Sequence, residues 1–109
     1  MRFAEPMDFV QLRDGSSYVG KVTTKALHLQ TGLSATPLEI ATNNIVWVIF
    51  RGGDGSPKDR LQLAAGSDLS GTVVDPTVTF HSDATGEVII TVPKILAIQF
   101  LSTFGNRDD

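Results

Sequence analysis

The sequence predicts an all-β protein made of one β unit present twice. Three observations carry this. Short runs rich in Val, Ile and Thr are bounded by Gly, Asp, Asn and Pro, the composition of strands and turns. No segment keeps a helical period over the roughly 10–12 residues that an amphipathic helix needs. The turn glycines and apolar beats of the first half return in the second half, 51 residues later. The 109 residues therefore read as an internal duplication of a roughly 45-residue five-stranded unit, short of the usual single-domain size.

The repeat is specific. Asp8 aligns with Asp59, Gln11 with Gln62, Leu12 with Leu63, Gly15 with Gly66, Ser16 with Ser67, Gly20 with Gly71 and Val22 with Val73. After one residue is lost in the second copy, the offset becomes 50, and Ile40 meets Ile90, Ile45 meets Ile95 and Phe50 meets Phe100. These ten pairs are identical, and apolar positions such as Leu27/Val78 and Leu29/Phe80 mostly exchange one apolar residue for another. The first repeat spans 7–50, a Gly-rich linker 51–59, the second repeat 60–101 and a tail 102–109.

Within the first repeat, 10–13 is a strand, and Asp14-Gly15-Ser16 a turn in which Gly supplies positive φ. Strands over 18–23, 26–31, 37–41 and 45–50 follow. Their counterparts are 61–64, 69–74, 77–81, 87–92 and 95–101. Side chains alternate across a strand. This puts Leu27, Leu29, Val78 and Phe80 inward, together with Val46, Val48 and Phe50 of the first copy and Leu96, Ile98 and Phe100 of the second. Trp47, Ile49 and Ile89 then carry large apolar groups on the face the repeat otherwise keeps small or polar. They are the interface candidates, covering either the contact between the copies or a contact with a partner. A ligand pocket built on Trp47 is the third reading. Because about 45 residues make an insecure core alone, the copies are expected to lean on each other. One ten-stranded sandwich or barrel formed by both is the alternative architecture.

Composition removes several function classes. There is no Cys, so disulfides, thiolate metal sites, thiol nucleophiles and iron–sulfur clusters are absent. Two His do not make a His-rich metal site, and the outward His28 and His81 read as solvated. Nine Lys and Arg against twelve Asp and Glu leave a net charge of -3, unfavourable for a general nucleic-acid binder. The longest apolar run, 45–50, has six residues, where a membrane helix needs about 20. Glu5, Pro6 and Asp8 interrupt the start, where a secretory leader would be apolar. A cytoplasmic protein without membrane contact is the expectation.

The run Val10-Gln11-Leu12-Arg13-Asp14-Gly15, followed by Tyr18-Val19-Gly20-Lys21-Val22, resembles the first motif of the Sm-like fold, a small bent five-stranded barrel. In that motif an apolar strand and turn Gly precede an aromatic, a Gly and a strongly bent strand. Ile49-Phe50-Arg51-Gly52 resembles the apolar–Arg–Gly of the second motif, although here it follows the last strand. The loop that carries Asp and Asn in RNA-binding members is Thr24-Lys25-Ala26 here. The resemblance covers about 40 residues per copy. It implies a barrel, self-association through strand edges and, as an alternative, RNA binding through Lys21, Lys25, Arg51, Lys58 and Arg60.

Catalytic chemistry finds no constellation. Ser16 and Ser67 are turn residues, no nucleophile elbow is present, and the Gly-rich linker lacks the Gly-Lys-Ser/Thr ending of a phosphate loop. No cofactor or metal is implied. The expected function is a non-enzymatic assembly or interaction module that self-associates. The alternatives are an Sm-like RNA binder and a small-ligand binder.

Overall fold

In a computed structural model, residues 7–33, 35–51, 58–82 and 85–100 are described. The centre of the Gly-rich linker and the C-terminal tail lie outside them. Ten strands form: β1 (Asp8–Leu12), β2 (Ser17–Val22), β3 (Ala26–Gln30), β4 (Leu38–Ala41), β5 (Ile45–Ile49), β6 (Asp59–Leu63), β7 (Asp68–Val73), β8 (Thr77–Ser82), β9 (Gly86–Thr91) and β10 (Ile95–Gln99). Single 3₁₀ turns, Thr42–Asn44 and Val92–Lys94, lead into β5 and β10. Gly15 and Gly66 take positive φ in the turns after β1 and β6, where a side chain would be strained.

All ten strands join one antiparallel sheet, in the order β4-β3-β7-β6-β5-β10-β1-β2-β8-β9. This is the ten-stranded alternative of the sequence reading, curled into a barrel-like shape. Exchanging β1–β5 with β6–β10 leaves the order unchanged. Each half mixes strands from both ends of the chain: β3 and β4 attach to β7, while β8 and β9 attach to β2. The halves meet where β5 pairs with β10, Val48 facing Ile98.

Glycine permits the two junctions. A Cβ on Gly20 would overlap the His81 carbonyl and the Phe80 ring, and one on Gly71 would overlap the Gln30 carbonyl. A strand that bends under a crossing strand this closely must lack a side chain there.

The core is continuous. Val10, Leu27, Leu29, Ile45, Val48, Leu61, Phe80, Ile95 and Ile98 are wholly buried, and Phe50 and Phe100 almost so. Two expected core residues move. Val46 and Leu96 are only half-buried, and Ile45 and Ile95 take their inward places. The cause is a bulge at the start of each last strand: pairing jumps from Ile45/Leu63 to Trp47/Gln62, and from Leu12/Ile95 to Gln11/Ala97. An extra residue in one strand reverses the alternation beyond it. The freed carbonyls are used, since Phe100 donates its N–H to the Val46 carbonyl and Phe50 to that of Leu96, both at 2.8 Å.

Two buried carboxylates close the ends of the strands. Asp59 accepts the Arg51 N–H at Oδ1 and the Val73 N–H at Oδ2, both at 2.7 Å. Asp8, its counterpart, accepts the Val22 N–H at 2.9 Å. Buried polar groups persist where they are hydrogen-bonded, and here each charge meets backbone donors at the edge of the core. No helix among the described residues is long and apolar enough to cross a membrane.

Candidate functional site

Among the described residues, the middle of the sheet has its core on one side only. On the other side, the register of β1, β10, β5 and β6 sets side chains in two rows. One row runs Phe9, Gln99, Trp47, Gln62 and the other Gln11, Ala97, Ile49, Arg60. Val19 extends the first row beyond Phe9 and is 58% exposed. The bulge at Val46 aims Trp47 at this face: without it, Trp47 would take the inward parity next to Ile45. A shallow groove of about 330 Å³ runs along the rows, lined by Phe9, Gln11, Trp47, Ile49, Ala97 and Gln99.

Trp47 lies across β5 from Gln99 of β10, where the two halves meet. The Arg60 guanidinium sits over its ring, 6.0 Å from the centroid. Such cation–π contacts contribute about 0.5–1 kcal/mol at exposed sites. Arg60 is the one charged side chain that β1, β10, β5 and β6 contribute to the two rows, and Asp68 of β7 stands opposite Gln62 at the far end of the first. The Arg60 neighbours Gln11, Gln62 and Gln99 are neutral amides that both donate and accept.

Ile89, the third interface candidate, stands apart. It lies on the outermost strand β9, opposite Thr79, and is 67% exposed. Four strands separate β9 from β5. The structure thus joins Trp47 and Ile49 with Phe9, which the alternation argument missed. Phe9 precedes the strand start read from the sequence, and the residue 51 positions on, at the same place in β6, is Arg60.

The five basic candidates do not form one patch. Lys21 is exposed on β2 opposite His81, and Lys25 lies in the turn before β3, its carbonyl accepting the Thr42 N–H. Arg51 and Lys58 are exposed close to Asp59, and Arg60 points to the outer face over Trp47.

His28 and His81 are likewise separate. The Nδ1 of His28 is 2.9 Å from the Asp75 carboxylate, whose other oxygen accepts the His28 backbone N–H at 2.6 Å. The hydrogen bond and charge of Asp75, aided by Glu39 across the strand pair, raise the imidazole pKa. In the other half, Thr24 replaces Asp75, and its hydroxyl accepts the Thr79 N–H at 2.8 Å. This side chain is part of the strand junction, with the imidazole still 42% exposed. Among the described residues, no group of three or more His, Asp and Glu is placed to hold a metal ion.

A second depression, about 490 Å³, opens beside the ends of β1 and β5. It is lined by Arg13, Phe50, Arg51, Asp59, Thr72, Val73, Val92 and Pro93. The Arg13 guanidinium donates to the Arg51 carbonyl across its rim.

Comparison with protein-family models, with curated proteins and with solved structures finds no match for this chain.

Proposed function

We propose that this protein is a non-enzymatic β module that self-associates through the outer face of β1, β10, β5 and β6. One observation carries the reading: a groove at the centre of the sheet is lined by Phe9, Trp47, Ile49 and Ala97, among neutral glutamines. Aromatic residues and Arg are enriched in protein interfaces and acidic residues depleted, and this face has that composition. A second copy is the fitting partner. The face carries one cation, Arg60, with one acid, Asp68, at its end, so it offers no net charge to select a different molecule, and amides that both donate and accept are satisfied by their own kind across a twofold. Two sheets stacked this way would lie about 10 Å apart.

The finer fold reading belongs here too. We infer a duplicated Sm-like unit with exchanged strands. It is supported by the strand order, which is unchanged when the two repeats are swapped, and by the close crossings at Gly20 and Gly71. In this arrangement β5 and β10 each have two neighbours, so β4 and β9 supply the sheet's outer edges. Strand-edge assembly would have to use those edges, which makes the central face the stronger candidate.

Size-exclusion chromatography with light scattering tests the proposal. A dimer at micromolar concentration is expected, with blue-shifted Trp47 emission that moves red on dilution. Trp47→Glu should give a folded monomer. A wild-type monomer across that range, with concentration-independent emission, would sink the idea.

A further inference from the structure

We propose that the depression at the ends of β1 and β5 binds the oxyanion group of a small molecule, a phosphate or carboxylate, between Arg13 and Arg51. None of its lining residues belongs to the two rows of the outer face, so the inference stands apart from self-association.

Its volume of about 490 Å³ falls within the usual range for small-molecule sites, about 300–1,000 Å³. Apolar walls come from Phe50, Val73, Val92 and Pro93, while Thr72 adds a hydroxyl. The bond to the Arg51 carbonyl holds the Arg13 side chain across the rim. That bond uses one of the five N–H donors of a guanidinium, whose fork matches phosphate and carboxylate oxygens. Asp59 is the one carboxylate among the described lining residues, and both its oxygens are turned to backbone N–H groups.

The strongest argument is the contrast with the other half of the sheet. There, the place of Arg13 is taken by Ala64 and that of Lys94 by Asn44. The backbone arrangement is nevertheless the same. Arg13 donates its N–H to the Lys94 carbonyl at 2.9 Å, and Ala64 donates to the Asn44 carbonyl at 2.7 Å. The fold therefore forms this corner equally with Ala and Asn. The corner does not need Arg13 to form, and recognition of an anion would give the arginine pair a use; Asp14, whose counterpart is Ala65, accompanies Lys94. Lys94 brings its charge near Asp14, whose carboxyl is held below its usual range chiefly by the Ser16 N–H and in small part by Lys94. Arg13 and Arg51 are the pair that lines the cleft. The other corner has Lys21 in the place of Thr72, which supplies an internal control.

A concave site with apolar walls suits a compact ligand better than a polynucleotide, which would want a continuous basic stripe. Backbone amide NMR spectra of the full chain test this, titrated with inorganic phosphate, phenyl phosphate, benzoate and a short oligouridylate. The expected result is saturable shifts of the Thr72, Val73 and Val92 amides with one of the small anions. Affinity should fall about tenfold in Arg13→Ala and in Arg51→Gln and remain unchanged in Lys21→Ala. Arg13→Ala should fold, because Ala64 fills the equivalent place, and its thermal melt checks this. A preference for phenyl phosphate over benzoate identifies a phosphate ligand, and the reverse a carboxylate. The proposal is overturned if no small anion saturates, or if the arginine variants bind as wild type. It is equally overturned if only the oligouridylate binds and Lys21→Ala weakens it as much as Arg13→Ala.

Discussion

Asp59 is 7% exposed and Asp8 only 1%, yet both are carboxylates in a chain with few cations to spare. They are tolerated because they stand at the first positions of β1 and β6, beside the ends of β2 and β7. Where a neighbouring strand leaves the sheet, an unpaired N–H remains, and the carboxylate accepts it. Asp59→Ala leaves the Arg51 and Val73 N–H groups without their acceptor. A loss of about 2–4 kcal/mol is expected from urea denaturation, with a comparable loss for Asp8→Ala. His28 contributes in the opposite pH sense from a paired carboxylate. Its pKa is raised in the fold, so its stabilisation is full below the unfolded value and fades as pH rises through the folded one. Wild-type protein should therefore lose stability relative to His28→Gln as pH rises above the ordinary imidazole value of about 6.5, measured by urea midpoints in a pH series. The turn glycines and the inward Leu27 and Leu29 were legible in the sequence, because each depends on its immediate neighbours. The buried aspartates were visible as a repeated pair but not as anchors. Their partners lie 8 and 14 residues away, where no local pattern reaches.

Strands show the same division between local and distant causes. Every expected strand forms within two residues of its expected limits, since β-branched runs between turn residues determine them locally. Alternation misplaced Val46 and Leu96 because a bulge is a property of a strand pair. One strand's sequence does not say that its neighbour is a residue shorter. Half of the candidate interface was legible for the same reason: Trp47 and Ile49 broke the pattern of their own strand, while Phe9 joined them only through the pairing of β1 with β10. Two predictions belong at this level. Gly71→Ala should cost about 1–3 kcal/mol or more, because the Gln30 backbone cannot retreat without opening the β3–β7 pairing, and amide exchange should quicken in β3 and β4. Ile89→Lys should change stability by no more than about 0.5 kcal/mol, because the side chain is exposed on an outermost strand. It should also leave the oligomeric state unchanged in light scattering, unlike a substitution at Trp47.

The whole molecule measures 48 × 35 × 23 Å. It should melt as one. Each half takes strands from both ends of the chain, so neither unfolds without removing two strands from the other. At a protein concentration low enough to hold the monomer, circular dichroism and Trp47 emission should give coincident urea transitions, the sign of a single cooperative unit. Two transitions would mean that β5 and β10 are a seam rather than a continuous sheet. The recurring turn glycines and apolar beats were legible in the sequence, but the exchange of strands was not, since equivalent halves offer equivalent edges and only the three-dimensional arrangement chooses between them. The exchange also bears on synthesis. When residues 26–41 leave the ribosome, the strand that β3 must join, β7, has not been made. At about 5–20 residues per second, the nascent chain waits seconds with Leu27, Leu29 and Ile40 uncovered. This protein cannot mature in vectorial order; its first half is completed by its second, and a ribosome that stalls midway holds an exposed apolar hairpin rather than a finished domain.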